Sequence, residues 1–234
     1  MRLTISSMAE AEASASSISV SARTRVYEVC KRLLDIVAST VVIFGLAPLW
    51  LLLALLIKMG SPGPVFFTTE VVGWRGRIFR LFKFRSMVVG AQSAAHREDV
   101  RRNFLDKKPA DYDAIGRPIF KTSAVDPCQI TGVGRWLRRF SLDEVPQFWN
   151  VLQGNMSIVG PRPALPYEAE LYGSAEWDRF AVRPGITGLY QVTHRNRIPI
   201  EEMIRIDLEY IRRRSFSLDL LIMLKTPIAM LKGM

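Results

Sequence analysis

Between Ile36 and Ile57 the chain runs for 22 residues without a charge, IVASTVVIFGLAPLWLLLALLI, and a single proline, Pro48, interrupts it. At about 1.5 Å per residue, a continuous helix of that length reaches roughly 33 Å, enough to cross the hydrocarbon core of a bilayer. Pro48 opposes continuity, because it lacks an N–H and its ring clashes with the preceding turn. Charge adds a second conflict. Lys31 and Arg32 precede the run, Lys58 follows it, and Arg75, Arg77, Arg80, Lys83 and Arg85 lie beyond. Basic residues mark the cytoplasmic side of a membrane segment, and here they stand on both sides. A helix broken at Ala47-Pro48 could dip into one leaflet and return, with its freed backbone groups finding local partners, since lipid offers none. A kinked span and a buried core helix also fit the run, and the residues alone leave the three open.

The rest of the chain is of a different character. Lys and Arg number 32 against 22 Asp and Glu, a formal charge of +10, yet the mean hydropathy is +0.12. Both hold only if the apolar residues are concentrated, as they are here. With 49% apolar and 23% charged residues, 234 positions suit one domain with an appendage and exclude a chain that is disordered throughout. Cys30 and Cys128 are far apart and outside any C-x-x-C pattern, which argues against a disulfide scaffold or a structural zinc site. Residues 1–25, rich in Ser and Ala and without an apolar h-region, read as a disordered leader rather than a signal peptide. Residues 26–60 read as the membrane element and 61–234 as a cytoplasmic domain.

Ser61-Pro62-Gly63-Pro64 ends the membrane element. Val65–Val72 and Arg77–Phe84, joined by Gly73-Trp74-Arg75-Gly76, predict a β-hairpin, with Lys83 and Arg85 two residues apart on one face. Residues 91–128 are polar and predict a helical piece followed by a loop.

The sharpest local chemistry is Ser141-Leu142-Asp143-Glu144-Val145-Pro146-Gln147. Ser141 as N-cap with Glu144 reaching back would be a capping box, although Pro146 would then cost an intrahelical bond. Moving the N-cap to Leu142 or Asp143 puts Pro146 in the first turn and the two carboxylates at the positive end of a helix, a place suited to phosphate or metal chemistry. Arg162 lies between Pro161 and Pro163, and Arg183 precedes Pro184-Gly185. A guanidinium on so constrained a backbone favours recognition of phosphate, although either could be a solvated arginine in an ordinary turn. The apolar stripe Ile200, Met203, Ile204, Leu208 and Ile211 predicts a helix over 199–213 with Asp207 within the stripe. A carboxylate there needs a cation or a metal, unless it lies at the stripe's edge in water. Leu218–Leu231 reads as an apolar surface element interrupted at Pro227.

Taken in order, the segments KRLLDIV with the Pro-broken run, SPGPVFF, FRLFKFRSM, ITGVGRWLRRFSLDEVPQFWNVLQGNMSIVGPRP, VRPGITGLYQV and DLEYI resemble the bacterial sugar transferase family, the monotopic phosphoglycosyl transferases. The resemblance covers about Val26 to Lys232. It implies an α+β fold, mainly helical, with a re-entrant membrane helix broken at Ala47-Pro48, a short hairpin and interfacial helices. It also implies transfer of a sugar 1-phosphate from a UDP-sugar to undecaprenyl phosphate at the cytoplasmic face of the bacterial inner membrane. By resemblance, Asp143 is the nucleophile that becomes phosphorylated by the sugar phosphate, and Glu144, with Asp143, holds Mg²⁺. Lys83, Arg85, Arg138, Arg162 and Arg183 match positions that neutralise phosphates, and Asp207 matches a supporting one. Oligomerisation stays open.

Three departures stand out. The family's break is usually Ser-Pro, whereas here it is Ala47-Pro48, so no hydroxyl is available to satisfy a freed carbonyl. Thr193-His194-Arg195-Asn196 carries His194 where relatives have glycine, and the segment over 97–125 is longer than in minimal members. Two other classes compete: a catalytically silent membrane scaffold of the same fold, and a membrane-anchored nucleic-acid binder. The first sits badly with an intact Asp143-Glu144 pair. The second would need a basic stripe with stacking aromatics, whereas these arginines stand beside carboxylates and Pro/Gly turns.

Overall fold

The computed structural model describes residues 22–90, 101, 104, 111–112, 118–119, 129–194 and 198–232. The apolar run forms two helices, α1 (Ala22–Gly45) and α2 (Ala47–Gly60), bent by 61° at Leu46. Pro48 falls in the first turn of α2, where a missing N–H needs no partner. Around the break Leu46 N–H donates to Val42 O at 3.2 Å and Trp50 N–H to Leu46 O at 3.0 Å. Backbone bonds thus continue on both sides of the bend without help from a hydroxyl at position 47. No single helix among the described residues is long and apolar enough to cross a membrane, although the bent pair together has the length and composition.

The hairpin forms as its alternation predicts, with β1 (Phe66–Val72) antiparallel to β2 (Ile78–Phe84) and Val71 opposite Phe79. Its tight turn puts Arg75 at φ +55° and Gly76 at +71°. Of the stretch 91–128 the described residues are Arg101 and Phe104, both helical, and a short antiparallel pair, β3 (Asp111–Tyr112) with β4 (Pro118–Ile119). The leader up to residue 21, Cys128 and the Arg195-Asn196 pair lie outside the described residues.

Next come α3 (Gly132–Arg139), capped by Thr131 Oγ1 accepting from Gly134 N at 2.9 Å, and α4 (Gln147–Leu152). Gly134 is a close approach: a Cβ there would lie 1.9 Å from Ser86 O. The strand β5 (Ser157–Val159) follows, then the short helices α5 (Pro166–Ala169) and α6 (Ser174–Trp177). β6 (Gly185–Thr187) pairs with β5 in parallel, Ser157 opposite Gly185 and Val159 opposite Thr187. The chain ends in α7 (Leu189–Thr193), α8 (Ile200–Arg213) and α9 (Phe216–Lys232).

The fold is therefore mainly helical with small β elements, an α+β arrangement. One buried cluster joins Val71, Leu81, Val151, Met156, Ile158, Tyr210 and Ile222, so hairpin, α4, β5, α8 and α9 share a core. A second, of Leu53, Ile57, Phe84 and Leu137, seats α2 on the hairpin and α3. α8 buries Met203 and Ile204 of the predicted stripe, packs Ile200, Leu208 and Ile211 partly buried against the cores, and also buries Ile206 and Tyr210, which the stripe omits. α9 runs through Pro227 rather than breaking there. Thr226 Oγ1 donates to Ile222 O at 2.8 Å and contacts Thr187 Oγ1 at 2.8 Å, which anchors the turn at the proline. Leu220, Leu221, Leu224 and Ile228 of α9 remain exposed.

Polar groups on α1 bind it to the domain. Asp35, buried, accepts from Ile158 N at 2.9 Å, and Lys31 donates to Asp219 at 2.7 Å. Asp219 also accepts from Tyr27 Oη at 2.8 Å and Tyr210 Oη at 2.7 Å. Arg32 donates to Val151 O at 2.6 Å and Leu152 O at 2.9 Å. Lys31 and Arg32, which look in the sequence like charges flanking a membrane segment, are thus spent on internal contacts.

Candidate active site

The segment after α3 turns through Ser141 at φ +53°, and Leu142–Glu144 then form one turn of 3₁₀ helix. Ser141 therefore precedes the turn in a left-handed conformation and makes no side-chain cap, so the capping-box geometry is not adopted. Glu144 N–H bonds to Ser141 O and Val145 N–H to Leu142 O, both at 3.3 Å. Pro146 stands directly before α4, where it has no helical N–H to lose, so the carboxylate pair sits one turn ahead of a six-residue helix.

β2 delivers Lys83 to this turn, and its Nζ lies 2.8 Å from Glu144 Oε1. With side chains 27% and 37% exposed, the pair is open to solvent and to an incoming ligand. Burial pushes the Asp143 carboxyl above its ordinary value, and the Glu144 charge adds to the rise, while Lys83 and Arg138 oppose it. Lys83, Arg138, Asp143 and Glu144 are thus brought together from β2, α3 and the turn.

Asn150 fixes the register between these elements. Fully buried on α4, it donates to Arg80 O at 2.7 Å and accepts from Phe82 N at 3.0 Å, so the strand carrying Lys83 is splinted to the helix following Glu144. Trp136, Phe140 and Trp149 are exposed close to the turn in sequence, and Trp136 and Phe140 rings lie 5.3 Å apart.

The other arginines named by the sequence are occupied differently. Arg85, whose N–H still pairs with Val65 O at 2.9 Å, does not join Lys83 at Glu144. It turns to the end of α2 and donates to Pro62 O at 2.8 Å, Ser61 O at 2.7 Å and Ser61 Oγ at 3.0 Å. Arg162, 24% exposed, pairs with Glu168 at 3.2 Å. Although burial works against it, Arg162 holds the Glu168 carboxyl below its ordinary value. Arg183 donates from Nε to Gly154 O at 2.9 Å and stacks 4.6 Å over Trp74.

Asp207 is buried at 1% exposure and pairs with Arg179, 2.6 Å away and equally buried. Arg179 also donates to Tyr172 Oη at 2.5 Å and to Arg162 O at 3.0 Å. It thereby grips the Pro161-Arg162-Pro163 backbone from below. Burial pushes the Asp207 carboxyl up to about 6, against the pull of Arg179. The stripe position of Asp207 announces a partner, whereas nothing in Glu176-Trp177-Asp178-Arg179-Phe180 singles out Arg179.

The two Pro/Gly segments form one unit. Gly160 N–H donates to Thr187 O at 2.9 Å and Gly185 N–H to Pro161 O at 2.8 Å. The backbones touch so closely that a Cβ on Gly185 would sit 2.1 Å from Gly160 N, and one on Gly160 would sit 2.5 Å from Arg183 O.

A family model described as bacterial sugar transferase matches residues 26–233, and the chain belongs to that family. The exopolysaccharide production protein ExoY of Sinorhizobium fredii (strain NBRC 101917 / NGR234) is 36% identical over 198 residues, spanning 85% of this chain and 84% of that protein. The UDP-glucose:undecaprenyl-phosphate glucose-1-phosphate transferase of Xanthomonas campestris pv. campestris is 39% identical over 217 residues, 89% of this chain and 40% of the relative. The undecaprenyl-phosphate galactose phosphotransferase of Salmonella typhimurium is 36% identical over 196 residues, 84% of this chain and 39% of the relative. The family makes the chain a transferase.

Proposed function

We propose that this enzyme transfers a sugar 1-phosphate from a UDP-sugar to undecaprenyl phosphate, releasing UMP and leaving undecaprenyl-diphospho-sugar, as the first membrane step of exopolysaccharide or related glycan synthesis. The observation that carries the reading is the half-buried Asp143 carboxyl next to the Lys83–Glu144 ion pair, within the charge field of Arg138. The names of the Xanthomonas and Salmonella relatives support the acceptor, and that of the former the donor.

In the first step an Asp143 carboxylate oxygen attacks the β-phosphorus of the donor. The bond from that phosphorus to the bridging oxygen breaks, and the oxygen leaves on UMP. A phosphate oxygen of undecaprenyl phosphate then attacks the same phosphorus and the Asp143 carboxylate departs. Lys83 and Arg138 neutralise charge on the transferring group, which would otherwise repel both nucleophiles. Arg162 is the further arginine proposed to reach a phosphate. Arg85, Arg183 and Asp207 are proposed to hold the frame around it.

Asp143 and Glu144 suit Mg²⁺ as hard oxygen donors, and their mutual repulsion, part of what lifts the Asp143 carboxyl, is what a shared cation relieves. Mg²⁺ is commonly held by one or two carboxylates together with substrate phosphates, so no larger protein cage is required. When bound, it would offset the charge of the diphosphate and of the departing UMP.

For the membrane element we propose the re-entrant form. Both arms of the bend pack on the same domain, α1 through Arg32 and Asp35 and α2 through Leu53 and Ile57, whereas a span would carry one arm away from it. Val41, Phe44, Leu46, Leu51 and Leu52 around the bend are exposed and form the part that enters the cytoplasmic leaflet.

Two experiments test these readings. Detergent-solubilised enzyme with Mg²⁺, undecaprenyl phosphate and a panel of UDP-glucose, UDP-galactose and N-acetylated UDP-hexoses is expected to release UMP with at least one donor. Without acceptor, mass spectrometry is expected to find a phosphosugar adduct on Asp143; no UMP from any donor would reject the activity. For topology, single cysteines at Val26 and Met59, in a background with Cys30 and Cys128 replaced, are both expected to escape an impermeant thiol reagent in intact cells. Both should react in inside-out vesicles. Reaction of one of the two in intact cells would mean a span.

A further inference from the structure

We infer that Arg32 of α1 is a positioning residue for the Asp143-Glu144 turn, so that seating of the membrane helix is felt at the reacting carboxylate. The inference rests on the function proposed above for Asp143. Helix α4 has only six residues, and an isolated helix that short is not stable in water. Its orientation is therefore decided by what grips it. At its start it has no side-chain cap, and the Asp143-Glu144 turn feeds directly into it. Its middle is splinted to β2 by Asn150. Its carbonyl end is gripped by Arg32, with Nη1 on Val151 O at 2.6 Å and Nη2 on Leu152 O at 2.9 Å.

The chemistry suits that grip. The last carbonyls of a helix lack intrahelical donors and carry the negative end of its dipole, so a fork of guanidinium donors serves two of them together. Gln153 N–H takes Trp149 O and Gly154 N–H takes Val151 O. The Arg183 guanidinium lies on Gly154 O, two residues past Leu152, and its charge pulls the Arg32 value down together with burial, which comes first. Two like charges are held this close because both face the carbonyl end of one short helix.

Arg32 also belongs to the helix that leads into the bilayer, with Val29, Leu33 and Val37 exposed around it and Asp35 tied to Ile158 N. A shift of α1 along its axis would draw the guanidinium off both carbonyls. The rigid path from there to the catalytic turn is the length of α4 alone. A misplacement of about 1 Å at a reacting group is enough to slow a reaction by up to roughly 100-fold.

The test compares Arg32→Gln and Arg32→Lys with the parent enzyme, all full-length and in lipid nanodiscs. Hydrogen exchange is followed over residues 142–153, with residues 200–213 as internal reference. In Arg32→Gln, exchange at 142–153 is expected to quicken about tenfold while 200–213 keeps its protection. The kcat for UMP release is expected to fall about tenfold with KM for the UDP-sugar within about threefold, and Arg32→Lys to recover part of both losses. Unchanged exchange at 142–153 in Arg32→Gln would overturn the inference whatever the activity does. Equal loss of protection in both segments in both variants would overturn it too, because Arg32 would then support the whole domain. Since exchange needs no turnover, a parent enzyme without UMP release would count against the proposed function and leave the exchange result to judge Arg32.

Discussion

Asp143→Asn is expected to lose at least about 10³-fold in UMP release and to form no phosphosugar adduct, while its thermal stability is equal to that of the parent or higher. The two outcomes have one origin. Asparagine keeps the shape but offers no anionic oxygen to attack phosphorus. The ionised Asp143 is, in turn, a burden on the fold, because burial and the neighbouring Glu144 lift its carboxyl above the ordinary range. The native state therefore holds a proton there at pH values where the unfolded chain has released it, and stability falls as pH rises through that window. Above that window the full cost is present, and asparagine removes it. Parental turnover is expected to decline as pH drops through the raised value, since attack needs the ionised form. A variant that kept its rate, or melted far below the parent, would deny Asp143 the nucleophile's role.

The second large effect lies away from the reacting groups. Arg179→Met is expected to cost about 3–5 kcal/mol, because it leaves the Asp207 carboxylate, the Tyr172 hydroxyl and the Arg162 carbonyl without the donor they now share. For a chain of this size that is a fall in Tm of roughly 10 °C. The loss should depend on pH. With Arg179 present, burial lifts the Asp207 carboxyl to about 6, and Arg179 restrains the rise. Without it the folded value climbs further above that of the unfolded chain, and stability keeps falling as pH rises through neutrality. The gap in Tm between parent and variant is thus expected to be small near pH 5 and wide near pH 8. A gap independent of pH, measured by thermal melts across that range, would mean that Asp207 does not depend on Arg179. Asp207→Asn should be milder, about 1–2 kcal/mol, because an amide oxygen can still accept from Arg179 and burial already penalises the ionised carboxyl.

What the sequence declares here follows from how local each cause is. The hairpin is legible to within a residue at either end, since alternation and the Gly73–Gly76 turn are properties of adjacent positions. The bend is legible because proline acts on its own helix, and the α8 stripe because helical periodicity names a buried face. The DE turn is legible as chemistry but not as conformation: whether Ser141 caps a helix or turns left-handed depends on how the turn meets Lys83 of β2, which lies far off in the chain. Arg85 is taken up elsewhere than Lys83 because carbonyls just past the end of α2 are within its reach. Arg179 and Arg32 carry no local mark at all. Their roles are set by partners on other elements, Asp207 for the former and the carbonyl end of α4 for the latter.

The backbone contact between the Gly160 and Gly185 segments has a bearing on how such enzymes can diversify. Neither glycine has room for a side chain unless the other segment retreats, so a change at one calls for a matching shift in the other. A chimaera that brings a side chain to one of the two alone should inherit a steric quarrel rather than a new specificity.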